Sequence, residues 1–185
     1  MSFTKTCFSS LAALCLIACG DSDPPSATTI ESLVPASGEV SGWNEDPATG
    51  APGVEVGKTH AEVEAKIDGD MEPFAAKSFV ALARQHYAKD GYQLELRIWQ
   101  MKDEATATAL YSDLATTVSL YSALSWSNVS VGDAGRVADS GTTWWVNTRK
   151  KAYHVEARVS QKSVADATSR ADVEAFAKAV VAKIP

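Results

Sequence analysis

The sequence predicts an α+β fold, with an antiparallel sheet of about five strands and helices packed mainly on one face. The apolar spacing alternates along the chain between a period near 3.6 and a period of two. This alternation gives the order helix, two strands, helix, three strands, helix. Short turns join successive strands, and such connections make antiparallel sheets. Antiparallel sheets commonly pack helices on one face and leave the other face in solvent.

The first helix is predicted over residues 59–69. Thr59 and Glu62 have the spacing of a capping box, in which each side chain accepts a hydrogen bond from the other residue's backbone amide. Gly69 is typical of a helix C-terminus. A short second helix is predicted over residues 73–78, because this segment opens with a proline and proline suits the first helical turn.

A β-hairpin is predicted over residues 79–101. Asp90 and Gly91 lie between two strand-like segments, and both residues tolerate the positive φ that a two-residue hairpin turn requires. Apolar and polar residues alternate along the second strand. A two-residue turn pairs Tyr87 with Leu94 and Ala83 with Ile98 on the core face. On the other face it pairs His86 with Glu95, Arg84 with Arg97, and Leu82 with Trp99.

The second half of the chain is predicted to contribute two more helices and three strands. Asp103 is a typical N-cap for a helix that continues to about residue 118. Three segments predict strands, over residues 136–139, 142–147 and 152–160. Ser169 and Asp172 mark the start of the last helix, which carries an apolar stripe. Residues 119–133 show no clear period.

The N-terminal residues 1–18 are predicted to be a signal peptide. Lys5 provides the single positive charge of the leader, and an apolar run from residue 7 to residue 18 follows. This run is shorter than the roughly 20 residues that a membrane-spanning helix needs. Leu16-Ile17-Ala18-Cys19 resembles the lipobox of bacterial lipoproteins. The resemblance implies cleavage before Cys19.

The lipobox resemblance also implies that Cys19 is acylated and that its lipid holds the protein on a membrane. Two or more acyl chains give stable anchoring, at about 0.8 kcal/mol for each buried methylene. Gly20 follows the cysteine, and in the lipoproteins that this segment resembles, such a residue favours the outer membrane, with the protein facing the periplasm. An ordinary cleaved signal and a free periplasmic protein remain the alternative.

Composition limits the partners and the chemistry of the chain. All three cysteines lie at or before position 19, so the 166 residues after Cys19 offer no thiol for a disulfide or a metal site. Loss of Lys5 with the signal peptide changes the net charge from −6 to −7. This acidity argues against nucleic acid and anionic lipid headgroups as partners.

Residues 19–32 are predicted to be a disordered tether, and residues 33–185 a single α+β domain.

Seven short segments, in order, cover most of the chain after the tether: Leu33-Val34-Pro35, Gly42-Trp43, Ile67-Asp68-Gly69, Leu94 to Met101, Ala109 to Ser112, Trp144-Trp145 and Tyr153-His154-Val155. Together they resemble a family of bacterial secreted and lipid-anchored proteins that is known as a domain of unknown function. Asp68 stands where the family is expected to have asparagine. The resemblance implies a fold and a location, and it implies no activity.

The motifs of common catalytic and metal sites are missing from the sequence. There is no Gly-x-Ser-x-Gly segment for a serine nucleophile and no glycine-rich phosphate loop. His60, His86 and His154 lack the spacing of a metal site, so we expect neither a metal nor another cofactor. Two carboxylates that meet in the folded protein remain a possible catalytic pair, because sequence alone does not exclude them.

One sheet face is predicted to be a surface for a ligand or partner. Its residues are Arg84, His86, Glu95, Arg97, Trp99, His154, Glu156 and Arg158. Arginine and tryptophan are enriched at binding hot spots. Arg84 opposite Arg97 requires an anion between the two charges, since like charges across a strand pair are destabilising. In the alternative, glutamates of this face neutralise the arginines and the face binds nothing.

These observations favour a lipid-anchored binding or interaction module of the cell envelope, with an envelope protein or a small ligand as its partner. No catalytic activity is evident from the sequence. The alternative is a periplasmic hydrolase that uses carboxylates and histidines of the same sheet face.

Overall fold

Eight strands form one antiparallel sheet in the part of the chain that the structure describes. The structure is a computed structural model, and it describes residues 28–47, 53–67, 72–160 and 167–185. The predicted signal peptide, Cys19 and most of the predicted tether lie outside these residues. None of the described helices is both long enough and apolar enough to cross a membrane.

The sheet has the order β1-β3-β4-β8-β7-β6-β5, and β2 pairs with β3 as well. The strands are β1 (Asn44–Glu45), β2 (Glu55–Gly57), β3 (Phe79–Lys89), β4 (Tyr92–Met101), β5 (Ser127–Asn128), β6 (Ala134–Asp139), β7 (Thr143–Lys150) and β8 (Tyr153–Ser160). The helices are α1 (His60–Ile67), α2 (Glu72–Ala75), α3 (Glu104–Thr116), α4 (Ser119–Ser122) and α5 (Ala167–Lys183). The predicted antiparallel α+β fold is confirmed.

The sheet has more strands than the predicted number of about five. The additional strands are β1, β2 and β5, and each contains only two or three residues. A segment of that length is too short to show a period of two, so its sequence carries no strand signal. These short strands form because a neighbouring long strand, β3 or β6, offers its free edge.

The first core lies between the sheet and α5. The buried stripe of α5 consists of Val173, Phe176, Ala177 and Val180. Trp43, which is fully buried, meets the Phe176 ring edge-on at a centroid distance of 5.6 Å. Ile30 already packs into this core, three residues before the predicted start of the domain. Residues before β1 therefore help to close the same core as α5.

A second core lies on the opposite face of the sheet, and four of the five described α-helices pack there. Apolar side chains of α1, α2, α3 and α4 meet Leu82, Trp99, Met101 and Trp145 of the sheet. The sequence predicts that this face is exposed, because polar residues lie between the apolar ones, but the structure buries most of it. Here the charged residues pair with one another, and paired charges can be buried.

The local signals of the β3–β4 turn and of the α1 and α3 caps are confirmed, whereas the predicted cap Ser169 lies inside α5, which is described from Ala167. The β3–β4 register has His86 opposite Glu95 and Arg84 opposite Arg97, and the turn residue Asp90 has a φ of +50°. Glu62 accepts a hydrogen bond from the Thr59 amide at 3.0 Å and donates its own amide to Thr59 Oγ1 at 3.3 Å. The Thr106 amide donates to Asp103 Oδ1 at 2.7 Å, which caps α3. Gly69 lies outside the described residues.

Gly132, in the turn before β6, gives the first testable prediction. Its φ is +68°, and a Cβ at this position would lie 2.6 Å from Thr148 Oγ1 and would also overlap the Arg149 carbonyl oxygen. We expect Gly132→Ala to lower the free energy of unfolding by more than about 2 kcal/mol. The backbone strain at a positive φ and the steric overlap of the new Cβ both destabilise the folded state. Urea unfolding followed by circular dichroism measures the loss.

Gly38→Ala is the matched control for this prediction. Gly38 has a φ of +80°, but no atom lies within 4 Å of the added Cβ. Only the backbone strain at a positive φ applies at Gly38, so we expect the free energy of unfolding to fall by about 1 kcal/mol. Equal losses in the two variants would contradict the steric part of the argument.

Candidate functional site

All eight residues of the predicted surface lie on one face of strands β3, β4 and β8. We call this face, which also bears Leu82, Trp145, Asn147 and Arg136, the polar face. The strand pairing places Glu95 opposite both His86 and Arg158, and it places Arg97 opposite both Arg84 and Glu156. Trp99 stands opposite His154. The antiparallel register thus brings together residues that are up to 74 positions apart in sequence.

Most of the polar face is buried beneath the second core. Five of the eight residues are buried, namely Glu95, Arg97, Trp99, His154 and Glu156. Arg84, His86 and Arg158 are half-buried and reach solvent at one end of the face. The eight residues therefore form a covered network with one open end. They do not form a continuous exposed surface.

Glu95 is the centre of this network. Its Oε1 accepts hydrogen bonds from Arg84 Nε at 2.8 Å and from Arg97 Nε at 2.7 Å. Its Oε2 accepts one from Arg158 Nε at 2.6 Å. Burial acts to raise the pKa of Glu95, but the charges of Arg97, Arg158 and Arg84 outweigh it and lower the pKa to about 2. The anion that Arg84 and Arg97 require between them is this carboxylate.

Arg84 joins the network to the helices that cover it. Its Nη1 lies 3.4 Å from Glu55 Oε2 on β2 and also donates a hydrogen bond to the Lys66 carbonyl near the end of α1. A free carbonyl at a helix C-terminus carries partial negative charge, and a guanidinium stabilises it. Arg84 therefore holds α1 against this end of the sheet.

Glu156 is the second buried carboxylate of the polar face. Tyr121 on α4 donates its hydroxyl hydrogen to Oε1, and Trp99 donates Nε1–H to Oε2 at 3.3 Å. His154 Nε2 lies 3.9 Å from Oε1. Burial acts to raise the pKa of Glu156, and the contacts with His154, Arg97 and Tyr121 lower it by more. Glu156 is therefore ionised at neutral pH and fixed in place by α4.

Two further residues, which the sequence did not single out, extend the polar face across the sheet. Asn147 on β7 stands opposite Glu156, and Arg136 on β6 stands opposite Asn147. The Arg136 guanidinium lies over the rings of Tyr111, at 4.1 Å, and Trp126, at 4.9 Å. Such cation–π contacts compensate in part for the burial of a charge. Side chains alternate between the two faces along β6 and β7. Assigning Arg136 and Asn147 to the polar face, however, requires knowing that these strands pair with β8.

The open end of the polar face forms a concavity of about 200 Å³. It is lined by His86, Gln93, Leu94, Glu95, Thr143, Arg158 and Ser160. The Arg158 side chain is 32 % exposed, against 17 % for Arg84 and 6 % for Arg97. Burial and then the Arg84 charge lower the pKa of His86, so this imidazole is neutral at neutral pH. The concavity thus presents the accessible guanidinium of Arg158, which is paired with the Glu95 carboxylate of the same lining.

A metal site needs at least three ligands that converge on one point. Among residues 28–47, 53–67, 72–160 and 167–185, no three His, Cys, Asp or Glu side chains converge closely enough to hold a metal ion. Both glutamates at the centre of the polar face are already bound by fixed donors. The arrangement can therefore offer donors and positive charge more readily than a free carboxylate.

Comparisons with known proteins include a structural likeness. No protein-family profile and no curated protein sequence matches the chain. The structure is similar to the crystal structure of the extracellular domain of PknH from Mycobacterium tuberculosis, with a TM-score of 0.42 and 10 % sequence identity. The match covers 76 % of this chain and 80 % of that chain. A likeness at this TM-score carries no argument about function.

Proposed function

We propose that this chain is a lipid-anchored protein of the bacterial cell envelope whose folded domain is a binding module. The lipobox-like residues 16–19 support the anchor, and Gly20 supports the outer membrane as its location. The binding site that we propose is the open end of the polar face. Its partner is an envelope protein or a small ligand.

The observation that carries the proposal is the accessible guanidinium of Arg158 in the concavity. Arg158 is held by Glu95, whose other oxygen is bound by two further arginines. A side chain that is already fixed loses little conformational entropy when it binds a partner. A half-exposed arginine that is fixed by a buried network is therefore well suited to recognition.

The same contacts favour binding over the alternative of a periplasmic hydrolase. A general acid must hold a proton near neutral pH, and this requires a raised carboxyl pKa. The pKa values of Glu95 and Glu156 are both lowered. Their oxygens also accept hydrogen bonds from fixed donors, which leaves little freedom for nucleophilic attack.

Native mass spectrometry of the full chain tests the binding site. We expect the wild-type protein, purified from its own membranes in mild detergent, to carry a bound species. Arg158→Ala should lose this species. Lys178→Ala is the matched control, because Lys178 is 59 % exposed on α5, across the sheet from the concavity. A species that persists in Arg158→Ala, or that is missing from all three proteins, would count against the proposed site.

Intact mass tests the anchor separately. We expect the membrane-purified wild type to begin at Cys19 and to carry the mass of three acyl chains. Cys19→Ala should lack that mass, because the thiol that accepts the lipid is gone. A wild-type chain without lipid would mean a free periplasmic protein.

A further inference from the structure

Arg136 differs from the other arginines of the polar face in its partners. Those arginines meet three carboxylates, in the pairs Arg84 with Glu55, Arg158 with Glu95, and Arg97 with Glu95 and Glu156. In the part of the chain that the structure describes, neither Nε nor Nη2 of Arg136 has a hydrogen-bond partner, and both atoms are buried. The residue is 6 % exposed. Arg136 is thus an enclosed cation with one edge of its guanidinium unused.

The surroundings of Arg136 compensate its charge only in part. Its guanidinium lies over the rings of Tyr111 and Trp126, which attract a cation but leave these two nitrogens without a hydrogen bond. Burial lowers the pKa of Arg136, and Tyr111, Glu156 and Tyr121 counteract this effect incompletely. Arginine stays protonated in proteins, so its charge persists at neutral pH. An anion at the free edge would stabilise a buried charge of this kind.

Asn147 supplies further free donors beside Arg136. It stands opposite Arg136 on one side and opposite Glu156 on the other. Asn147 is fully buried, and within the described residues neither its Nδ2 nor its Oδ1 atom has a hydrogen-bond partner. The side chains of Arg136 and Asn147 therefore stand side by side without bonding to each other. Buried polar groups are almost always satisfied, so two unsatisfied neighbours indicate a group between them.

We propose that a halide ion binds between Arg136 and Asn147, where it accepts hydrogen bonds from Nε–H and Nη2–H of Arg136 and from Nδ2–H of Asn147. Its single negative charge matches that of the guanidinium. A water molecule would satisfy the same donors but would leave the buried charge uncompensated. Exposures of 6 % for Arg136 and 0 % for Asn147 favour an ion of this size over a larger organic anion.

This site is separate from the binding site of the proposed function. Neither Arg136 nor Asn147 lines the concavity around Arg158. The ion would instead link the sheet to its cover, because Arg136 contacts α3 through Tyr111 and the segment before β5 through Trp126. A halide at this position stabilises the second core, whether or not the concavity binds a partner.

The Tm of the full chain in different sodium salts tests the inference. The protein is purified in mild detergent, and its unfolding is followed by circular dichroism in sodium chloride, sodium bromide or sodium gluconate at equal ionic strength. Gluconate is the reference, because it is a monoanion that is too large for the enclosed site. We expect chloride and bromide to raise the Tm saturably, by about 3–6 °C at about ten times the Kd, because an ion that binds only the folded state stabilises it.

Three variants locate the ion, and each is compared with its own Tm in gluconate. Arg136→Gln should lose the halide-dependent rise, because the cation is gone. Asn147→Asp should also lose it, because the new carboxylate pairs with Arg136 in place of the ion. Arg149→Gln is the matched control on the same strand as Asn147. Arg149 already pairs with Glu104 at 3.7 Å and with Asp133 at 3.5 Å, so this variant should keep the rise.

Equal Tm values in chloride and gluconate would overturn the inference, and they are the result expected for a bound water molecule. A halide-dependent rise that persists in Arg136→Gln or in Asn147→Asp would overturn it as well, because the ion would then bind elsewhere. A rise that is also lost in Arg149→Gln would show general screening of charges and contradict a specific site. If Arg136→Gln does not fold, Asn147→Asp decides, since it retains the cation. The Arg158-dependent species in native mass spectrometry tests the proposed binding site independently of these results.

Discussion

Replacing Glu95 with glutamine is expected to lower the free energy of unfolding by about 3–5 kcal/mol. The amide keeps the shape of the side chain but removes the charge that Arg84, Arg97 and Arg158 share. Removal of one partner from a buried ionic group is costly, because the remaining charges stay away from water without compensation. Urea unfolding at pH 7, followed by circular dichroism, measures the loss.

Glu174→Gln is the matched control. Glu174 lies on α5, where it pairs with Arg170 at 3.1 Å and with Lys178 at 3.7 Å. These cations are exposed, so we expect a loss of less than about 1 kcal/mol. Similar losses for Glu95→Gln and Glu174→Gln would mean that the buried network contributes little to stability.

The pH dependence provides a second check on Glu95. The pKa of Glu95 is lowered from an ordinary value of 4.5 to about 2 in the folded protein. The stabilisation is therefore complete above about pH 4.5, and it is lost as the pH falls towards 2, with a total of about 3 kcal/mol. We expect the stability difference between wild type and Glu95→Gln to shrink over this window. A difference that stays constant with pH would contradict the ionic explanation.

Replacing Trp99 with alanine is expected to cost about 3–5 kcal/mol, the range for large aromatic side chains in a core. Trp99 is fully buried and stacks on Phe74 with a centroid distance of 3.8 Å and an interplanar angle of 7°. It also meets Phe79 edge-on at 5.8 Å. The variant leaves a cavity beneath α2 and removes a hydrogen bond to Glu156. Thermal and urea unfolding both measure the effect.

Two further variants divide this loss into its parts. Trp99→Phe keeps an aromatic ring and loses the indole N–H donor, so we expect a cost of about 1–2 kcal/mol. Val80→Ala, on the adjacent strand and 47 % exposed, should change stability by less than about 0.5 kcal/mol. A cost below about 1.5 kcal/mol for Trp99→Ala would show that the second core collapses to fill the cavity.

Those parts of the fold that depend on neighbours in sequence were predictable. The two residues Asp90 and Gly91 fixed the β3–β4 register, and that register placed Arg84, Glu95 and Arg97 side by side. The capping side chains of α1 and α3 were predictable for the same reason. The short strands β1, β2 and β5 were not, because they exist only through pairing with a distant strand.

Eight members of the polar face were predictable, but their burial was not. Alternation on β4 and β8 indicated which residues share a face, and Arg84 opposite Arg97 indicated a missing anion. Tyr121, Asn147 and Arg136 were missed, because their positions depend on packing of α4 and on the β6–β7–β8 pairing. Long-range contacts of this kind leave no local pattern.

The sharing of one carboxylate by three guanidinium groups has an evolutionary consequence. When Glu95 is present, loss of Arg97 removes a favourable contact. When Glu95 is absent, that contact is already gone, so loss of Arg97 costs less than it does in the wild type. Substitutions at these positions are therefore epistatic, and their effects do not add. A single replacement within the group therefore costs more stability than the same replacement made together with its partners.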